Sequence, residues 1–194
     1  MKKALHDDDQ VKPTWFYPQT LCHLYKKDQF IFTENDRAEG LFWICKGKVM
    51  ISKTGKSNRK QNLRFVKEGN FIGYQSLLNK DTYSVSAKTL ENSHITFINL
   101  DTFLKLQNEN TELSMALMYQ LAAEIKETEI NITKVAQKSV RERTAEMLLF
   151  LERFYGMKDD GITINMSLKR KEIANTVGSA TESVSRVLSD FKEK

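Results

Sequence analysis

The chain has 194 residues, 40% of them hydrophobic and 11 of them Phe, enough for a real core in one large domain or two small ones. Its net charge of +5 permits an anionic partner without demonstrating one. No apolar stretch approaches the length needed to span a bilayer. The basic start Met1-Lys2-Lys3 runs into Asp7, Asp8 and Asp9 rather than an apolar segment, which argues against an ordinary signal peptide and for a cytoplasmic protein with no membrane partner.

Up to about residue 103 the chain reads as strands. Gln29–Phe32, Gly40–Cys45, Lys48–Ile51, Asn62–Val66 and His94–Ile98 are short runs of strand-forming residues. Turn chemistry separates them at Glu34-Asn35-Asp36, Lys46-Gly47, 54–58 and Glu68-Gly69-Asn70. This spacing predicts a compact antiparallel barrel or roll. The two cysteines, Cys22 and Cys45, form no CxxC pair and fall short of a four-ligand metal site. They read as buried or half-buried thiols in a reducing compartment.

From Thr111 to Gln137 the chain carries no Pro or Gly. Leu113, Leu117, Leu121, Ile125, Thr128, Ile132 and Val135 recur at steps of three and four, one apolar seam on a helix about 40 Å long. Such a helix either packs on its own barrel or pairs with a second copy; its length favours the dimer seam. Residues 136–139 form a hinge. A further helix follows, with Ala145, Leu148, Leu149, Leu151 and Phe154 on its apolar side and Tyr155-Gly156 at its end. Asp159-Asp160-Gly161 is a turn, and Ile162-Thr163-Ile164 a short strand.

The last segment carries the sharpest pattern. Arg170–Val177 is a short helix, Gly178 breaks it, and from Thr181 to Phe191 the apolar residues Val184, Val187, Leu188 and Phe191 fall on one face of a second helix. Two helices crossing steeply over a tight turn need a small residue at the crossing, a residue that accepts positive φ in the turn, and a buried branched residue to lock the pair. Ala174, Gly178 and Val184 supply these at the spacing of the helix-turn-helix. The exposed face then presents Thr181, Glu182, Ser185 and Arg186 to DNA bases: Arg186 has the fork for guanine O6 and N7, and Glu182 can accept from cytosine N4. Ser179–Glu182 also fits a capping box, an alternative use of the Glu182 carboxylate. Lys169, Arg170 and Ser179 are candidate phosphate contacts.

These residues resemble the CRP/FNR transcription factors over nearly the whole chain. The roll matches through Leu41–Val49 and Gly69–Gly73, with Gly47, Gly69 and Gly73 at its turns; the reader matches through Glu172-Ile173-Ala174, Val177-Gly178 and Glu182–Arg186. The resemblance implies an α+β protein: an N-terminal antiparallel, jelly-roll-like β-roll sensor (1–103), a long dimerisation helix (104–137) and a C-terminal helix-turn-helix domain (138–194). It also implies a homodimer on double-stranded DNA, with RNA polymerase as a further partner if the protein is an activator. Glu182-x-x-Ser185-Arg186 is similar to the recognition signature of the fumarate-nitrate branch, which reads palindromes with TTGA-like half-sites.

Two departures bear on function. Cyclic-AMP-binding members carry a Glu where Tyr74 stands, and Arg-Ser where Asp81-Thr82-Tyr83-Ser84 stands. A cyclic phosphate needs a cation or converging N–H donors, and Asp81 would repel it, so the roll is not expected to bind cyclic AMP in the usual way. Gly73, Tyr74, Gln75, Thr82, Tyr83 and Ser84 either line a pocket for another effector, of unknown identity, or fill it. Family members also continue past the recognition helix into a wing, whereas this sequence ends at Phe191-Lys192-Glu193-Lys194; the reader is expected to lack most of that wing and to grip DNA less firmly. The cysteine count excludes an iron–sulfur sensor. A haem on His23 or His94 is disfavoured, and His6, His23 and His94 have no ligand spacing, so neither a metal, a cofactor nor a metal-dependent enzyme is expected. The competing class is a ligand-sensing regulatory module with weak or no DNA binding, which leaves the Ala174-Gly178-Val184 spacing unexplained.

Overall fold

The computed structural model describes residues 22–55, 58–166 and 168–193. The reading of the first residues, with His6 and Asp7–Asp9, and the middle of the 54–58 turn lie outside the described residues.

Among the described residues, eight strands build the roll: β1 (His23–Tyr25), β2 (Phe30–Phe32), β3 (Gly40–Lys46), β4 (Lys48–Thr54), β5 (Lys60–Lys67), β6 (Phe71–Ile72), β7 (Ser86–Thr89) and β8 (Ser93–Asn99). They form two four-stranded sheets of order β1-β8-β3-β6 and β2-β7-β4-β5, with every pairing antiparallel. Strand β3 shows why its sequence is almost wholly apolar. Alternate side chains point to opposite faces, and here both faces are covered. Phe42 and Ile44 join the interior with Val49, Ile51, Val66 and Ile95, while Leu41 and Trp43 join the cluster under the helices. The sequence pattern picks out β2, β3, β4, β5 and β8. It misses β1, β6 and β7, which are short; Ser86–Thr89, for instance, alternates no apolar residues and is placed by its neighbours β2 and β4.

The helices are α1 (Tyr74–Leu78), α2 (Leu100–Glu109), α3 (Thr111–Gln137), α4 (Val140–Tyr155), α5 (Arg170–Val177) and α6 (Thr181–Lys192). The single long helix expected over 104–137 is two helices, the first of them, α2, starting at Leu100. Helix α2 is split from α3 by Asn110, whose extended backbone ends one helix while its side chain accepts from Glu112 N at 3.0 Å to start the next. The hinge after α3 takes the expected place: Lys138 leaves helical geometry, and Ser139 with Glu142 forms a reciprocal capping box that restarts the chain as α4.

Four readings need correction. Cys22 and Cys45 form a disulfide rather than two thiols; the sheet order that brings Cys22, just before β1, near the end of β3 is non-local and leaves no trace in spacing. Leu113 and Leu117, 1% and 5% exposed, pack into the roll's cluster with Trp43, Phe71 and Phe103, so the first turns of the seam serve their own roll. The buried face of α4 is Thr144, Met147 and Leu151, with Leu149 facing outward, because α5 and α6 approach from the Met147 side. Ile162–Ile164 is no strand. Asp160 Oδ1 accepts from the backbone N–H of Ile162 (2.9 Å) and Thr163 (2.8 Å), which holds a turn and leaves a single bridge between Met157 and Ile164.

Candidate nucleic-acid interface

The helix-turn-helix is assembled from local rules. At α5, Lys169 N donates to Glu172 Oε2 (2.9 Å), satisfying a donor at the helix start. At its end Gly178 takes φ 71°, ψ 45°, and the N–H groups of Gly178 and Ser179 both donate to Ala174 O (2.9 and 3.1 Å). The turn requires this left-handed residue, and glycine adopts it without a Cβ penalty. Ala174 is buried at the crossing, and Val184 of α6 is 0% exposed against Met147, Leu151, Ile173 and Val177. Ala174 and Val184 meet in one small core, and Gly178, itself exposed, makes the turn that brings their helices together.

That core leaves the far side of α6 open. Glu182 and Arg186 are exposed, and Thr181, Ser185 and Ser179 are half-buried. The N-cap of α6 is Ala180 with no side-chain capping bond, so the capping-box use of Glu182 does not occur. Lys169 and Arg170 are exposed at the start of α5. The C-terminal end of α6 is tied back to α4: the Arg141 guanidinium lies over the Phe191 ring at 4.7 Å and pairs with Asp190 at 3.3 Å.

A set of contacts absent from the sequence reading joins this unit to the roll. Asn62, buried in β5, donates through Nδ2 to Glu172 O (3.1 Å) and Thr176 Oγ1 (3.0 Å) of α5. Lys88 of β7 pairs with Asp28 (2.8 Å) and Glu172 (3.4 Å). Phe65 packs on Phe150 and Phe154 of α4, with ring centroids 5.5 and 5.9 Å apart. Between the two units lies a cavity of about 360 Å³, lined in part by Lys27, Lys88, Tyr155, Lys169 and Glu172. Burial there holds the Tyr155 phenol in its neutral form, well above its ordinary range. The sequence carries little signal for this contact: Asn62 is one of five polar residues among the eight of β5, and it is buried there because α5 supplies its hydrogen-bond partners.

In the proposed effector region, Tyr74 is 0% exposed beneath α3 and Gly73 caps α1. Gln75 Nε2 donates to Glu124 of α3 (2.9 Å), which also pairs with Arg64 of β5. Gln120 of α3 brackets Phe71, accepting from its N–H (3.0 Å) and donating to its carbonyl (2.7 Å). Tyr83 stacks on Phe32 at 4.1 Å and donates its hydroxyl to Gly40 O (2.7 Å); burial pushes its phenol up to about 12. Thr82 forms a bridge with Arg37, and Asp81 Oδ1 accepts from Thr82 N (2.7 Å). Lys53 reaches Ser84, but it donates to that residue's carbonyl (2.7 Å) and pairs with Glu34 (3.5 Å). No group of three or more metal-ligating side chains occurs among the described residues, and no helix among them is long and apolar enough to cross a membrane.

Comparison with known proteins now decides the family. Residues 22–110 match the cyclic nucleotide-binding domain, and residues 142–194 match the Crp-like helix-turn-helix domain. The chain belongs to the CRP/FNR family. Within it, the chain is 29% identical to the global nitrogen regulator of Nostoc sp. over 99% of its own length and 87% of that protein's. It is 28% identical to the cAMP-activated global transcriptional regulator CRP of Haemophilus influenzae, covering 93% and 81% of the two chains. It shares its fold with the c-di-GMP-responsive global regulator CLP of Xanthomonas campestris, at a TM-score of 0.76 and 21% identity over 88% of this chain and 86% of that one. These relatives are transcription regulators, and this chain is a family regulator carrying a helix-turn-helix.

Proposed function

We propose that the chain acts as a homodimer that reads a palindromic site with TTGA-like half-sites, one half-site per protomer. The observation that carries this reading is the division of α6. Val184 is locked into the core on one side, while Glu182 and Arg186 stand exposed on the other. Thr181, Glu182, Ser185 and Arg186 face the base edges, and Lys169, Arg170 and Ser179 approach the phosphates. The second half of α3 supports the dimer: Ile125, Ile132 and Val135 are 59%, 65% and 57% exposed on a helix that has left its own roll. Two copies paired there set two readers about one turn of DNA apart.

The roll does not accept cyclic AMP in this proposal. Tyr83 fills part of the interior and Tyr74 the cluster beneath α3, Asp81 stands in the segment where the phosphate-binding Arg-Ser is expected, and the nearby cation Lys53 is already paired with Glu34. RNA polymerase is a further partner if the dimer activates transcription.

The test is binding to duplexes carrying an inverted TTGA/TCAA repeat and to a scrambled control across a salt series. Preference for the repeat at every salt concentration supports the reading. Equal affinity for both sinks it and leaves a sensing module without sequence-specific DNA binding. Arg186→Ala is expected to cost about 1–3 kcal/mol on the repeat and far less on the control. Calorimetry with cyclic AMP is expected to show no heat.

A further inference from the structure

We propose that Cys22 and Cys45 form a reversible thiol–disulfide site, opened by dithiol reductants, whose state sets how firmly the roll holds α3. The proposal rests on the family reading for one point only. A DNA-binding regulator works where the thiol pool is reducing, and disulfides there are typically transient and redox-sensing rather than structural.

The geometry supplies the rest. Sheet order β1-β8-β3 puts the two cysteines on either side of β8. Strands one apart in a sheet lie about 9.5 Å from each other, too far for a disulfide. The Cα atoms of Cys22 and Cys45 are nonetheless 6.6 Å apart. A bulge closes the gap. Ile44 pairs with Ile95 and Lys46 with His94, so Cys45 is the extra residue of β3 and has no ladder partner in β8. Both sulfurs lie over Thr96 of β8, whose Oγ1 is 3.3 Å from Cys45 Sγ and 3.4 Å from Cys22 Sγ. Bulges re-aim side chains at functional positions, and this one allows the bond to open and close without unzipping β3 from β8. Both cysteines are half-buried, so a small thiol can reach them. They are also the two cysteines of the whole chain, so no other pairing competes.

The consequence runs to α3 through contacts already described. Cys45 packs on the cluster that includes Trp43 and Phe71 and seats Leu113 and Leu117, and Phe71 is bracketed by Gln120. In the oxidised state the bond ties the three-residue edge strand β1 to β3, on which this seat is built. Reduction proceeds by exchange. A dithiol thiolate attacks one sulfur, the S–S bond breaks, and the displaced cysteine leaves as a thiolate that takes a proton. The second thiol of the reductant then attacks the mixed disulfide, closing the reductant's own disulfide and releasing the other cysteine. Two electrons and two protons pass to the protein, and oxidised dithiol returns them.

The test equilibrates the full chain with buffers of varied reduced-to-oxidised dithiothreitol ratio and counts free thiols. The expected result is zero thiols at one extreme, two at the other, and a single two-electron transition between. Zero at every ratio, or two at every ratio, overturns the proposal. Hydrogen exchange on Leu113–Gln120 is expected to be slower in the oxidised wild type and independent of the buffer in Cys22→Ser and in Cys45→Ser. A buffer effect that persists in either variant, or none in the wild type, overturns the link to α3. On the inverted repeat, the two redox states of the wild type are expected to differ in affinity by at least about fivefold, with equal affinity overturning the link to the reader. Failure of the family reading shows up differently, as no specific DNA binding in either state with the thiol transition and exchange change intact.

Discussion

Truncating Val184 to Ala tests whether the helix-turn-helix is locked as described. Val184 is 0% exposed and touches residues from both α4 and α5. The substitution removes two methyl groups, worth about 0.8 kcal/mol each in lost burial. The void they leave among Met147, Leu151, Ile173 and Val177 adds about 1 kcal/mol, since helices held at both ends collapse only partly. The total is about 2–3 kcal/mol. Little else can compensate: Leu188 is only partly buried, and the Arg141–Asp190 pair is exposed. The assay is native-state hydrogen exchange. Amides of α5 and α6 are expected to lose roughly 30- to 150-fold in protection, while those of β3 and β8, in a different core, keep theirs. Unchanged protection in α6 would refute the lock. An equal loss in β3 and β8 would refute the view that the reader opens separately from the roll.

Ile132→Asp puts a charge in the uncovered half of α3; light scattering is expected to show a dimer for the wild type and a monomer for the variant, and a monomeric wild type would remove the seam. A second prediction concerns pH. Glu146 is paired with Lys138 and, at 3.3 Å, with Lys134, and these cations, Lys138 first, hold its carboxyl below the usual range. Its folded pKa is therefore depressed, so its contribution is full above the unfolded value of about 4.3 and fades as pH falls through the folded one. Glu146→Gln is expected to lower Tm at pH 7, with the gap narrowing as pH falls toward 3. A gap of the same size at both pH values would mean that packing, not the ion pairs, is responsible.

What was legible in the sequence was local. Ala174, Gly178 and Val184 act within eleven residues, so their spacing alone conveys a turn, a crossing and a lock. The long helix α3 likewise follows from an unbroken run with three- and four-residue steps. What was hidden depends on which distant segments meet. The Cys22–Cys45 bond needs the order β1-β8-β3, and the Asn62 contact with α5 bridges 110 residues. The seam is an intermediate case. Its periodicity is plain, but Leu113 and Ile132 look alike in it, and only the position of the roll sends one inward and leaves the other uncovered. In the effector region the sequence offered only an argument from charge, Asp81 standing in the segment where a cation is expected, whereas the stacking of Tyr83 on Phe32 could not be foreseen.

Strand β5 has a wider consequence. Its residue Leu63 is inserted between the pairs Ile51–Arg64 and Ser52–Asn62, and around that irregularity Asn62 reaches α5, Arg64 reaches α3 and Phe65 reaches α4. One eight-residue segment therefore touches α3, α4 and α5 at once. If the regulator answers a signal, alleles selected to stay on or off without it should gather in this strand rather than in the roll's interior or the recognition helix. In descendants of this gene, β5 is the stretch whose drift would retune the response while leaving the DNA site unchanged.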